Sequence, residues 1–218
     1  MSGGEHIIVL HGILRSSRHM RPMARFLQAQ GYVVHNLDYP STKQPLETLT
    51  EAMRKQVAEC SGDAERVHFV AHSMGGLLVR ALLAAERPPT LGRVVQLGTP
   101  NRGSEVADFL RNNWLYKKVF GPAGQQLVTD AEVLATQLGE VDFPLGVIAG
   151  NRSVDPISSL LIEGEDDGKV GVERTRVEGM HDHIVLPVSH VFMPHKRQVQ
   201  EQTLHFLRHG AFAHSDVR

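Results

Sequence analysis

The feature that most limits the fold is an alternation of two hydrophobic periods along the first hundred residues. Short continuous apolar runs, "HIIVLHG" (6–12), "YVVHNLDYP" (32–40), "RVHFVAHS" (66–73) and "RVVQLGTP" (93–100), alternate with segments of helical spacing. A strand that is apolar on both sides needs a sheet covered on both faces. Between the runs, "RPMARFLQAQG" (21–31), "LETLTEAMRKQVAEC" (46–60) and "GGLLVRALLAAE" (75–86) carry apolar residues three and four apart, as amphipathic helices do. In the first, Met23, Phe26 and Leu27 share a face, and Gly31 fits the residue after the helix end. Pro22 suits only a first turn, so that helix is expected to start near His19 or later. Strands and helices alternating on short connections predict an α/β fold, a mostly parallel sheet with helices on both faces.

Beyond residue 100 the rhythm breaks. "PLGVIAG" (144–150) and "HIVLPVSH" (183–190) read as further strands, and "KRQVQEQTLHFLRHGAF" (196–212) as the last helix. The intervening segment 101–143 is far longer than an ordinary connection. It reads as two helical pieces parted by Gly121-Pro122-Ala123-Gly124, the second being 125–138, inserted as a small lid or cap in one 218-residue domain. The 23 basic and 24 acidic residues leave a net charge of −1, which gives no electrostatic reason to expect nucleic acid or an anionic membrane as partner. Cys60 is the one cysteine, so no intramolecular disulfide forms. No run approaches the roughly 20 apolar residues of a bilayer span, and Met1–Glu5 lacks the charged start of a signal peptide. The expectation is a cytoplasmic protein with no stable membrane anchor.

The chemistry centres on "AHSMGG" (71–76), where a strand run meets a helical run at Ser73. This is Gly-x-Ser-x-Gly with Ala71 in the first position. In such a corner the residues two before and two after the serine crowd each other, and Ala71 and Gly75 are both small. The turn lifts the Ser73 hydroxyl above the sheet, and the backbone N–H of Met74, at a helix N-terminus, is placed to stabilise an oxyanion. His72 is expected to point away from the site. A plain helix cap is the simpler reading of Ser73, but its place between strand and helix in an alternating series favours a nucleophile.

Together "VLHG" (9–12), "AHSMGG" (71–76), "LGTPNRGS" (97–104) and "DDGKV" (166–170) resemble the α/β-hydrolase superfamily, in its small bacterial lipase/esterase branch, which includes the Bacillus-type lipases. The resemblance runs from about residue 6 to 210 and is weakest over 105–140. It implies an ester or other acyl hydrolase with a Ser-Asp/Glu-His triad in that chain order. It also implies that the backbone N–H of Ile13 joins that of Met74 in an oxyanion hole.

The acid then follows the 144–150 strand, where Asp155, Glu163, Glu165, Asp166 and Asp167 are available. "DDGKV" matches the Asp-Gly-x-Val turn of lipase-like relatives, which selects Asp167, with Asp166 next. Of His181, His183, His190 and His195, His190 stands where a base is expected, past the last strand and before the final helix. His181 and Asp182 read as surface turn residues, and His183 as the far end of the strand. Thr99 and Pro100 fit a loop-positioning role, and Ser104 an N-cap. His205 and His209 lie four apart, but Phe206 stands where a zinc hydrolase carries Glu, so no metal is expected. No motif implies a cofactor.

The function expected is a serine carboxylesterase or lipase acting on a small-molecule acyl ester. Thioesterase, acyltransferase and peptidase use the same parts, and a non-catalytic module on this scaffold is the rival class. Trp114, Leu115 and Phe120, on the inserted segment, are expected to line an acyl pocket whose shallow roof suits short or medium chains.

Overall fold

The computed structural model describes residues 4–110, 114–126 and 138–214, without the side chains of Leu110, Leu115, Tyr116, Lys117, Val119 and Gln125. Its elements run β1 (Glu5–Leu10), α1 (Ser17–Ala29), β2 (Val33–Leu37), α2 (Leu46–Ser61), β3 (Arg66–His72), α3 (Met74–Ala85) and β4 (Leu91–Leu97). There follow α4 (Glu105–Leu110), α5 (Trp114–Gln125), β5 (Leu145–Gly150), β6 (Asp182–Leu186), a 3₁₀ turn at His190–His195 and α6 (Arg197–His209). The six strands form one parallel sheet in the order β2-β1-β3-β4-β5-β6.

Both sheet faces are covered, which explains the unbroken apolar strands. Ile8, Leu10, Phe69 and Ala71 meet Leu49 and Met53 of α2 and Leu77 and Leu78 of α3 on one side. Ile7, Val9 and Val70 meet Met20, Met23 and Leu27 of α1 and Val199 and Phe206 of α6 on the other. Each of these side chains but Ala71 contributes about 1.5–3 kcal/mol by leaving water.

Several boundaries differ from expectation. Helix α1 begins at Ser17, so Pro22 lies inside it. The early turn is held from β2 and the residue after it: Asp38 Oδ1 accepts the Ser17 N–H at 3.1 Å, and Asn36 Nδ2 donates to the Ser17 carbonyl at 2.8 Å. These bonds and the buried face of α1 outweigh the hydrogen bond that Pro22 cannot donate. Strand β4 stops at Leu97, because Gly98 turns the chain with φ +58. Strand β6 stops at Leu186, before Pro187, which has no N–H for the ladder, so His190 lies on a separate turn. Asp182 is no free surface residue: it opens β6 and accepts the Phe212 N–H at 2.7 Å and His214 Nε2 at 2.8 Å. The break in the inserted segment falls where expected, at Gly121, whose φ of 64 and ψ of −166 interrupt α5. The second helical piece lies mostly outside the described residues. No helix among the described residues is long and apolar enough to cross a membrane.

Burial holds His11, His19, His35, His68, His72 and His183 below the ordinary imidazole value, His19, His68 and His183 at about 4. These groups stay neutral when folded and take up protons when unfolded. Below pH 6.5 the unfolded chain therefore binds more protons, and stability falls as pH drops toward about 4. Urea titrations should show a midpoint that declines between pH 6.5 and about 5, before most carboxylates protonate. A flat midpoint across that window would contradict this.

Candidate active site

The C-terminal ends of β1, β3, β4 and β5 converge on Ser73. Its backbone has φ 55 and ψ −129, a conformation that side-chain-bearing residues rarely adopt and that costs about 1–3 kcal/mol. The surroundings hold it there. The Ser73 N–H donates to the Leu97 carbonyl at 2.8 Å, and the Ser73 carbonyl accepts from the Gly76 N–H and from Thr99 Oγ1, at 2.9 and 3.0 Å. Gly75 has a further reason to be small. A Cβ there would lie 2.5 Å from the His11 carbonyl oxygen, so the end of β1 crowds the corner.

Ser73, Asp167 and His190 meet in one hydrogen-bonded chain. Asp167 Oδ2 lies 2.7 Å from His190 Nδ1, and His190 Nε2 lies 3.0 Å from Ser73 Oγ. A carboxylate can only accept, so Nδ1 carries the proton and Nε2 offers its lone pair to the serine hydroxyl. All three residues are buried. The other carboxylate oxygen of Asp167 accepts the backbone N–H groups of Lys169 and Val170 at 3.0 and 2.8 Å, which fixes the plane of the group. Backbone joins the two loops as well, since the His190 N–H donates to the Asp167 carbonyl at 2.9 Å.

The other candidates fall elsewhere. Asp166 accepts from Ser159 Oγ and the Gly168 N–H, and Glu165 accepts from Asn151. Asp155 is paired with Lys169 at 2.6 Å, which holds its carboxyl well below the usual range. His183 bonds Thr175 Oγ1 at 2.9 Å, and His195 is exposed. The His205 and His209 rings lie tilted to each other with centroids 4.5 Å apart, and His205 Nδ1 bonds the Ala211 carbonyl. Among the described residues no group of three side chains could hold a metal ion.

Sequence reasoning missed three contributors. His72 does not point away: it is buried, lines the site, and its Nε2 lies 2.9 Å from the His190 carbonyl oxygen. Its burial follows from its position at the very end of β3, where the loops replace the helices as cover. Gly98 is the second. A Cβ there would meet Asp167 Oδ2 at 3.0 Å and His190 Nδ1 at 3.1 Å, so β4 can turn against the Asp–His bond only through glycine. The third is His11, whose ring stacks on Tyr39 with centroids 4.2 Å apart. Its Nδ1 holds the Gly12 carbonyl at 2.8 Å, in the same rigid peptide unit as the Ile13 N–H. A Cβ on Gly12 would stand 2.9 Å from that of Ser73, which shows how closely this loop approaches the serine.

A cavity of about 420 Å³ opens over Ser73, a size common among small-molecule sites. Ile13, Met74's neighbour Ser73, Ala107, Phe120, Val170 and Val191 take part in its wall, with Arg15 and Lys169 as its cations. Ser104 caps α4, accepting the Ala107 N–H at 3.4 Å, and also faces the cavity. Trp114 does not line it: the side chain is 72% exposed. The Leu115 side chain lies outside the described residues.

Comparisons with known proteins bear on the family and the fold. The profile of the palmitoyl protein thioesterase family matches residues 6–137, more than half of the chain. The human lysosomal thioesterase PPT2 (Homo sapiens) is 26% identical in an alignment of 206 positions, which covers 81% of this chain and 68% of that protein. A triacylglycerol lipase of Pseudarthrobacter phenanthrenivorans is 45% identical over 58 residues, 27% of this chain and 18% of that one. Among solved structures, the mature Bacillus licheniformis lipase BlEst2 superposes with a TM-score of 0.72 at 22% identity, over 92% of this chain and 88% of its own. The chain is thus a hydrolase of the lipase/esterase-like α/β-hydrolase fold and belongs to the palmitoyl protein thioesterase family.

Proposed function

We propose that the chain hydrolyses carboxylic esters through an acyl-enzyme on Ser73. One observation carries the reading: the unbroken Asp167–His190–Ser73 hydrogen-bond chain ends on a strained serine at the floor of an apolar cavity. Ser73 Oγ attacks the acyl carbon as its proton passes to His190 Nε2. Asp167 keeps the proton on Nδ1 and stabilises the imidazolium. The N–H groups of Met74 and Ile13 receive the developing oxyanion, supported by the α3 N-terminus and by the His11 hold on the Gly12 carbonyl. His190 then protonates the leaving alkoxide, and a water deprotonated by the same nitrogen releases the acid. Phe120, Val106 and Ala107 face the apolar acyl chain.

A thioester is the second reading, favoured by the family profile and by the thioesterase relatives. The two substrates differ in the leaving group. A thiolate departs near neutral pH with little help, whereas an alkoxide needs the proton from His190. Oxoesters and thioesters of one acyl chain, assayed in parallel, separate the readings. The carboxylesterase reading predicts kcat/KM for the oxoester at least equal to that for the thioester; a strong thioester preference assigns the second. A series of increasing acyl length also tests the expected optimum at short or medium chains.

Ser73→Ala and His190→Ala should each lower kcat by a thousandfold or more, roughly alike because the two act as a unit. Asp167→Asn should be severe and Asp166→Asn mild. Full activity in Ser73→Ala would refute the assignment. Gly98→Ala should cost roughly 1–3 kcal/mol from its positive φ alone. It should also lower kcat, because the added methyl presses on the Asp167–His190 bond. A variant with unchanged kcat and unchanged thermal midpoint would show that the β4 turn does not constrain this pair.

A further inference from the structure

His72 is the residue before the nucleophile, and the mechanism above gives it no part. Its side chain is 2% exposed, and its ring centroid lies 4.7 Å from that of His190. The His190 carbonyl can only accept, so the Nε2 of His72, 2.9 Å away, is the donor. The His190 backbone is therefore held on both sides. Its N–H is tied to the acid loop through the Asp167 carbonyl, and its C=O to the nucleophile strand through His72. The other edge of the His72 ring lies against the loop after β1, where a Cβ on Gly12 would stand 3.1 Å from Nδ1. That Nδ1 is buried and has no hydrogen-bond partner among the described residues.

We propose that His72 is a positioning residue, which keeps His190 Nε2 aimed at Ser73 Oγ by holding the His190 carbonyl. A neutral donor suits the place better than a cationic one. The base next to it must take up a proton during the reaction, and a second positive charge at this separation would oppose that. The groups facing His72 keep it neutral: burial, the rings of His190 and His19, and the Arg15 guanidinium all disfavour its charged form. The surface residue His195 stands behind His19, with ring centroids 5.4 Å apart. An arginine or lysine could reach the same carbonyl, but only by placing its charge against the imidazolium.

The inference rests on His190 being the general base, and the test separates the two. His72→Gln can place its amide nitrogen where Nε2 now sits, whereas the amide of His72→Asn is too short. In the Asn variant kcat should fall about tenfold to a hundredfold, the scale of a slightly misplaced catalytic group, with KM unchanged. The rate of Ser73 phosphonylation by a fluorophosphonate should fall with it. The Gln variant should recover most of both rates, and the thermal midpoints of the two variants should lie close together. Wild-type kcat in the Asn variant would overturn the proposal, and so would equal losses in Gln and Asn. Activity retained in His190→Ala would instead overturn the general-base reading.

Discussion

The bond between Asp167 and His190 Nδ1 decides what the rest of the molecule can do. It fixes the tautomer, and the tautomer decides whether a lone pair or a proton faces Ser73. A carboxylate able to rotate could not enforce this. Asp167 cannot rotate freely, because the Lys169 and Val170 N–H groups hold its second oxygen. Three loops at this edge of the sheet bear on the pair. The turn after β4 passes beside it at Gly98, the loop after β5 carries Asp167, and the loop after β6 carries His190.

The serine brings an opposing cost. Its φ of 55 would not persist in a free chain, and two backbone groups, the Leu97 carbonyl and the Gly76 N–H, together with the Thr99 hydroxyl hold it in place. The strain is useful because it places Ser73 at the cavity with its hydroxyl within 3.0 Å of His190 Nε2. The parallel sheet makes this affordable. Its core is covered on both faces by four helices, so the corner needs to contribute nothing to stability.

What was legible in the sequence divides along physical lines. Periodicity is local, so the strands, the long helices and the strand-to-helix corner at Ser73 could be read from neighbours in the chain. Asp167 and His190 lie about a hundred residues further on, and only chain order and a resemblance pointed to them. Their meeting is a tertiary fact. The start of α1 at Ser17 was hidden because its support comes from Asn36 and Asp38 on another segment. His72 was misplaced because alternation along a strand sends neighbours to opposite faces, and the rule lapses where β3 ends under the loops. Trp114 was misplaced because an apolar side chain on an insertion does not reveal which way its helix face turns. The glycine at 98 carried no visible signal, since its reason is a contact with residues 167 and 190.

The account stands or falls on which hydroxyl is the nucleophile. Ser104 and Ser158 line the same cavity, and Ser158 is the stronger competitor to Ser73, because its Oγ lies 3.3 Å from Lys169 Nζ. Treatment with a fluorophosphonate, followed by digestion and mass mapping, distinguishes them directly. The account predicts a single adduct on the peptide that contains Ser73, absent when the protein is first unfolded. An adduct on the Ser158 peptide, or none on any peptide of the folded protein, would contradict it.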